Sequence, residues 1–341
     1  MVLVKSEFAL ALNQVASERG ISVAEVISSM EAAIMAAFRK EHPEMFTENE
    51  EDDNGITVKV NSNSGETQIM QNNTDITPPG FGRIAAQTAR QVIVQKIREA
   101  ERKMVISHYQ DQIGALVKGR IIRRDMGLVY VDIGKAEAIL PREEQIRSEN
   151  YNVNDKYTFL LKEIGTTKNG FSRIVVSRSE PALIFELFKR EVPEISSGSI
   201  EVKKVVREAG ERAKIAVFSS QQGVDPVGAC VGQKGIRVQT ITDELSGREK
   251  IDIIPWNSDP IIFVANALSP AQIKSVKIEE SLKRAKVTIL ESQAPLAIGK
   301  GGANVNLAAQ LTGYNIDLIQ INDSGEPVTE TKADSEEKKE S

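Results

Sequence analysis

Apolar residues change their spacing along this chain, and each change marks a new region. Phe8, Leu12 and Val15 recur at helical intervals until Gly20 breaks the run. SVAE (Ser22 to Glu25) reads as a capping box for a second helix. Val23, Val26, Ile27, Met30, Ile34, Ala37 and Phe38 form one apolar stripe along it. After the acidic loop ENEEDDNG (48–55), alternation in ITVKV and TQIM around NSNSG predicts a β-hairpin over 56–70. Residues 78–109 return to the helical period, with Ala85, Ala89, Val92, Ile93, Ile97, Ala100 and Met104 as the buried side. Residues 1–109 thus read as an α/β head ending in a long connector helix.

From Gly114 the period becomes two. ALVKGRIIRR, GLVYVDIG, AEAILP, KYTFLLKEI and SRIVVSRS are five short strands with Gly and Asp turns, which predicts a small closed β-barrel over 110–180. VDIG (131–134), ILPREE (139–144) and the closing VVSRSE resemble an OB fold of the S-one-motif type. Tyr130 and Phe171 stand near turns and basic residues and are candidates to stack on bases. Arg120, Arg123, Arg124 and Lys135 are candidates to meet phosphates. Phe159 has the same alternation, which suits the barrel core as well.

The remainder contains a duplication. Helix, strand, strand, DPVGACVGQKGIRVQTITDELSG and a last strand KIDIIP make the first copy, 181–268. The second, 269–322, reads helix (SPAQIKS), strand, strand, APLAIGKGGANVNLAAQLTG and NIDLIQI. At an offset of 67, Gly232 matches Gly299, Gly235 matches Gly302 and Val238 matches Val305. Each copy runs a G-x-x-G turn into a helix. Glycine allows the sharp turn and a close backbone approach, and the helix offers unpaired N–H groups to an anion. Lys234 and Lys300 add formal charge within the turns. One such turn is ordinary helix punctuation; two, each with a lysine and the same strand order, point to a phosphate-backbone clamp of the type II KH kind. The predicted contacts are Gly232, Gln233, Lys234, Gly235 and Arg237, then Gly299, Lys300, Gly301, Gly302 and Asn304. Val231, Val238, Ile298 and Val305 would edge the base grooves.

Charge adds segregation to this picture. Residues 1–82 carry five basic and thirteen acidic side chains, whereas 83–108 carry six basic and two acidic. Arg83, Arg90, Lys96, Arg98, Arg102 and Lys103 give the connector helix a basic exterior suited to RNA or an acidic partner. The acidic stretch 323–341 reads as a disordered tail. A single cysteine excludes an intramolecular disulfide and fits a reducing cytoplasm, and no apolar run is long enough for a membrane. Two distant histidines give no zinc site, and no cofactor motif appears: Lys300 is followed by Gly301, so a Walker loop fails, and G-x-G-x-x-G is absent at both turns. Asp132, Asp225 and Asp252 have turn or cap settings, and Cys230 matches Ala297, so it reads as a small buried side chain. No catalytic constellation emerges, and an enzyme is not expected.

With FGRIAAQTARQVIVQKIREAER, EVPEI, DPVGACVGQKGIRVQTI and QLTGYNIDLI in place, the chain resembles the NusA family of bacterial transcription elongation, termination and antitermination factors. The order of head, OB barrel, KH, KH resembles that family too. The resemblance implies a monomer whose head binds RNA polymerase near the RNA exit channel, while barrel and KH domains hold nascent single-stranded RNA. Roles in pausing, termination and antitermination follow, with other Nus factors and the ribosome as further partners. The head is short, since PPGFGR comes soon after ETQIM, and there are no C-terminal acidic repeat domains. A ribosome- or translation-associated RNA-binding factor is the alternative. A polynucleotide phosphorylase would place KH before OB and need a large catalytic core.

Overall fold

A computed structural model describes residues 7–19, 22–46, 54–166 and 172–332. The break at Gly20, most of the acidic loop, Phe171 and the tail beyond Lys332 lie outside the described residues. The chain forms two compact units, Met1–Tyr109 and Gln110–Ser341.

In the first unit, helices α1 (Glu7–Arg19) and α2 (Val23–Glu41) precede strands β1 (Ile56–Val60), β2 (Thr67–Gln71) and β3 (Thr74–Asp75) and the long helix α3 (Phe81–Gln110). Val26, Met30, Ile34 and Phe38, spaced along one face of α2, pack on Ile56, Val58, Val60 and Ile69 of the sheet and on Phe81 and Ala85 of α3. The hairpin turn is tied by Asn61, whose Oδ1 accepts from the backbone N–H groups of Asn63 and Ser64. Two expectations change. Ser22 precedes α2 in extended conformation, but its side chain makes no cap hydrogen bond. On α3 only Phe81, Ala85 and Tyr109 are buried, and Met104 is 57% exposed. The helix outruns the small sheet that covers its first turns, so its apolar period continues without a partner layer.

The second unit opens with a closed barrel of β4 (Leu116–Asp125), β5 (Leu128–Asp132), β6 (Glu137–Leu140), β7 (Lys156–Thr166) and β8 (Ser172–Ser177), in the order β4-β5-β6-β8-β7. Gly119 on β4 is required by a close approach: a Cβ there would lie 2.3 Å from Val131 Cγ1. Phe159 is fully buried, which settles it as barrel core.

The first KH unit follows with α4 (Pro181–Glu191), α5 (Pro193–Ser196), β9 (Glu201–Glu208), β10 (Arg212–Phe218), α6 (Pro226–Val231), α7 (Ile236–Glu244) and β11 (Lys250–Pro255). β10 runs antiparallel to β9 and parallel to β11. The second repeats this with α8 (Pro260–Ala267), β12 (Ile273–Glu279), β13 (Arg284–Leu290), α9 (Ala294–Ile298), α10 (Ala303–Thr312) and β14 (Asn315–Ile321); β13 is antiparallel to β12 and parallel to β14. The duplication seen in the sequence is therefore a duplication of topology.

Two segments differ from expectation. SPAQIKS is not a helix: Ser269 precedes a proline, which disfavours helical backbone. The opening helix is α8, nine residues earlier, where Asp259 Oδ1 accepts from Ile261 N–H at 2.8 Å and Pro260 takes the first helical position. The tail also contributes β15 (Pro327–Lys332), which pairs antiparallel along the open edge of β14.

Barrel and both KH units share buried joints. Arg178, fully buried, donates to Glu149 Oε2 at 3.0 Å, to the Thr158 carbonyl at 2.7 Å and to the Glu244 carbonyl on α7 at 3.0 Å. Arg207 and Glu249 form a second fully buried pair at 2.6 Å, and Arg207 also donates to the Glu180 carbonyl at 3.0 Å. Val206, Ala216 and Ile254 of the first KH sheet belong to the same apolar cluster as Leu307, Ala308 and Leu311 on α10.

Candidate nucleic-acid interface

Each KH turn is built between a short helix and a longer one. Asp225 caps α6, accepting from Val227 N–H at 3.0 Å, as a turn aspartate should. The chain then passes through Gly232 (φ 74°), Lys234 (φ 52°) and Gly235 (φ 78°) into α7. The second copy passes through Gly299 (φ 76°), Gly301 (φ 60°) and Gly302 (φ 82°) into α10. The two turns thus have one backbone shape. They differ in where the lysine sits: Lys234 occupies the left-handed position itself, whereas the second copy puts Gly301 there and its lysine one residue earlier.

Neither α7 nor α10 has a side-chain cap at its N-terminus, so first-turn N–H groups at both turns lack a side-chain acceptor. Gln233, Lys234, Lys300 and Gly301 are exposed, and neither lysine forms an ion pair among the described residues. Uncapped amides, an exposed ammonium and no side chain in the way are the features that an oxyanion site requires.

Arg237 and Asn304 behave differently from the other predicted contacts. They occupy the same position, two residues beyond the second glycine. Both reach back rather than outward. Arg237 Nη1 donates to the Ala229 carbonyl at 2.6 Å and pairs with Glu194. Asn304 is fully buried, and its Nδ2 donates to the carbonyls of Leu268, Leu296 and Ala297, each at 3.1 Å. A buried amide cannot touch RNA, so Asn304 supports the clamp instead of lining it. These side chains also explain the first glycines, since a Cβ on Gly232 or Gly299 would lie 2.8 Å from Arg237 Cγ or Asn304 Cβ. Among the groove edges, Val305 is buried, while Val231, Val238 and Ile298 are half-buried. Ile236, directly after the first turn, is 64% exposed and escaped sequence reasoning, because one apolar residue carries no period.

On the barrel, one hairpin gathers the predicted residues. β4 and β5 pair Arg123 with Tyr130 and Arg124 with Val129. The Arg123 guanidinium lies 3.7 Å from the Tyr130 ring centroid and pairs with Glu137 at 2.9 Å, so one ring face is already covered. Arg120 pairs with Asp132 at 3.2 Å. The Gly134 N–H and Arg120 hold the Asp132 carboxyl below its usual range, which suits its turn role. Arg124 and Lys135 are exposed. Met126 at the hairpin tip is 98% exposed, an apolar side chain in solvent that sequence pattern missed because it reads as a turn residue.

Asp252 is not a cap. It sits within β11 and accepts from Arg212 Nε at 2.6 Å and Lys214 Nζ at 2.8 Å. Lys214 is buried, which pushes its pKa down, and it also donates to the Ser269 carbonyl at the joint between the KH units. Cys230 is buried, and burial pushes its thiol up to about 12, far from a nucleophile. Among the described residues no group of His, Cys, Asp or Glu is arranged to hold a metal ion, and no helix is long and apolar enough to cross a membrane.

Comparison with known proteins finds the same domains along the chain. A model of the NusA-like first KH domain matches residues 178–256, one of the second KH domain matches 260–326, and one of the NusA N-terminal domain matches 7–79 and 73–103. A transcription termination/antitermination protein NusA from Bacillus subtilis is 40% identical over 94% of this chain and 92% of its own length. The chain belongs to the NusA family. NusA from Halalkalibacterium halodurans is 39% identical over 92% of this chain and 88% of its own length, and that from Thermus thermophilus 36% over 98% and 96%. The family is one of transcription termination/antitermination proteins, and the match to its second KH domain starts at residue 260, the first residue of α8.

Proposed function

We propose that the chain is a non-catalytic transcription elongation factor that binds RNA polymerase through residues 1–109 and nascent RNA through the barrel and both KH units. Modulation of pausing, termination and antitermination follows from holding transcript beside the enzyme, because tethering raises the effective concentration of weak RNA sites. The KH units are taken to meet at residues 256–259, ahead of α8, rather than at 268. The observation that carries the RNA reading is the pair of turns with one backbone shape, each bearing an exposed lysine at the mouth of an uncapped helix. Gln233, Lys234, Lys300 and the turn glycines are the assigned contacts, with Arg123, Arg124, Tyr130 and Lys135 on the barrel.

Charge reversal in the turns tests this. Aspartate tolerates left-handed backbone better than most residues, so Gln233→Asp with Lys234→Asp keeps the first turn. That variant and Lys300→Asp are each expected to weaken single-stranded RNA binding about ten-fold, as a lost charge-assisted contact does. Undiminished affinity when both are combined would overturn the assignment. For the head, the full chain should be retained on immobilised RNA polymerase at low salt and residues 110–341 should not; equal loss of both favours the ribosome-associated role.

A further inference from the structure

Helix α7 does more than follow the first glycine turn: its far end walls a cleft against the barrel. Two adjoining hollows of about 450 and 400 Å³ lie between α7 and strands β4 and β7, and they share Lys156, Tyr157 and Glu244. Lys118 on β4 lines the first and Asp243 on α7 the second. This is the β4–β7 side of the barrel, where Gly119 pairs with Tyr157; the Arg120–Asp132 ion pair of the β4–β5 hairpin closes one edge of it, whereas Arg123 and Tyr130 of that hairpin do not line it.

The lining has the chemistry of a nucleotide site. Tyr157 is half-buried; its hydroxyl donates to the Asn150 carbonyl at 2.5 Å, and the Tyr151 ring lies 5.4 Å away, so the ring is fixed before any ligand arrives. Lys118 and Lys156 are exposed and form no ion pair among the described residues. Asp243 accepts from Gln239 through Oδ1 at 2.7 Å, and among the described residues its other oxygen accepts no hydrogen bond. Glu244 is already held by Arg190 at 3.2 Å. Position matters as much. The nine residues of α7 span about 13 Å at 1.5 Å each, so a strand held at the turn and running along α7 meets the cleft within its next few nucleotides.

We propose that this cleft is a base-binding subsite for the RNA held by the first KH turn, an inference that rests on the RNA reading above. One unstacked base lies on Tyr157, its N–H groups donate to the Asp243 carboxylate, and Lys118 and Lys156 hold the flanking phosphates. A carboxylate favours a base whose pairing edge presents adjacent N–H groups, as guanine does, over uracil, which presents two carbonyl oxygens. The subsite thereby makes the barrel and the first KH unit read one continuous strand.

The test uses the full chain and fluorescence anisotropy with two labelled RNAs. One has about four nucleotides, the length a GXXG loop holds, and the other about twelve. Lys118→Glu with Lys156→Glu, and separately Tyr157→Leu, should weaken the longer RNA about ten-fold and leave the shorter unchanged. Asp243→Asn should reduce the preference for guanine at one position outside the clamp. The charge variant changes only exposed side chains, so it stands if Tyr157→Leu fails to fold. Wild-type affinity for the longer RNA in the variants, or equal loss of both RNAs, overturns the subsite while the KH clamps stand. Failure of the wild-type chain to bind either RNA overturns the RNA reading itself.

Discussion

Whether each KH turn keeps its shape depends on one side chain two residues beyond it. The last carbonyls of α6 and α9 have no helical partner, and Arg237 and Asn304 supply the donors. The sequence shows a polar residue after a glycine turn, which reads as a ligand contact; it does not show whether that residue points out or back. That direction depends on the space beside Gly232 and Gly299, which exists only once both helices are packed. Asn304→Ala removes a donor shared by three carbonyls, two of them in buried hydrogen bonds, and is expected to lower stability by about 1–3 kcal/mol. Urea unfolding measures it; an unchanged midpoint would show that water or backbone rearrangement replaces the amide.

At the scale of elements, the strands were more legible than the helix boundaries. Alternation located the five barrel strands and the duplication located the six strands at the heart of the KH sheets; β5 and β13 do alternate in burial, whereas β10 is buried on both faces along its middle. The helix α8 was hidden because nearly all of it is apolar, so it has no amphipathic period, and its boundary is set by the Asp259 cap. Replacing that cap, Asp259→Ala, should cost about 1 kcal/mol in unfolding free energy, and no loss would mean that packing of Phe263, Val264 and Ala267 alone fixes the helix. The over-long stripe read on α3 has the opposite cause: its period is real, but the sheet beneath it covers only the first turns.

At the scale of the second unit, the barrel and KH pair are joined through buried charge as well as apolar packing. Nothing in the local sequence around Arg178 or Glu149 reveals that they meet, since they lie 29 residues apart and are brought together by the barrel, with α7 adding the Glu244 carbonyl. Glu149→Ala leaves Arg178 buried without its carboxylate and should destabilise the unit by about 3–5 kcal/mol, read as a lowered urea midpoint; a midpoint unchanged from wild type would mean that the Thr158 and Glu244 carbonyls suffice. Such joints keep the two turns and the barrel hairpin in fixed relation, which a grip on one strand requires. The salt dependence of RNA affinity tests that grip most directly. For the full chain against the combined Gln233→Asp, Lys234→Asp and Lys300→Asp variant, loss of about two phosphate contacts should lower the slope of log affinity on log salt by about 1.4. Affinity itself should fall at least about ten-fold. An identical slope and affinity in the variant would contradict the tandem clamp.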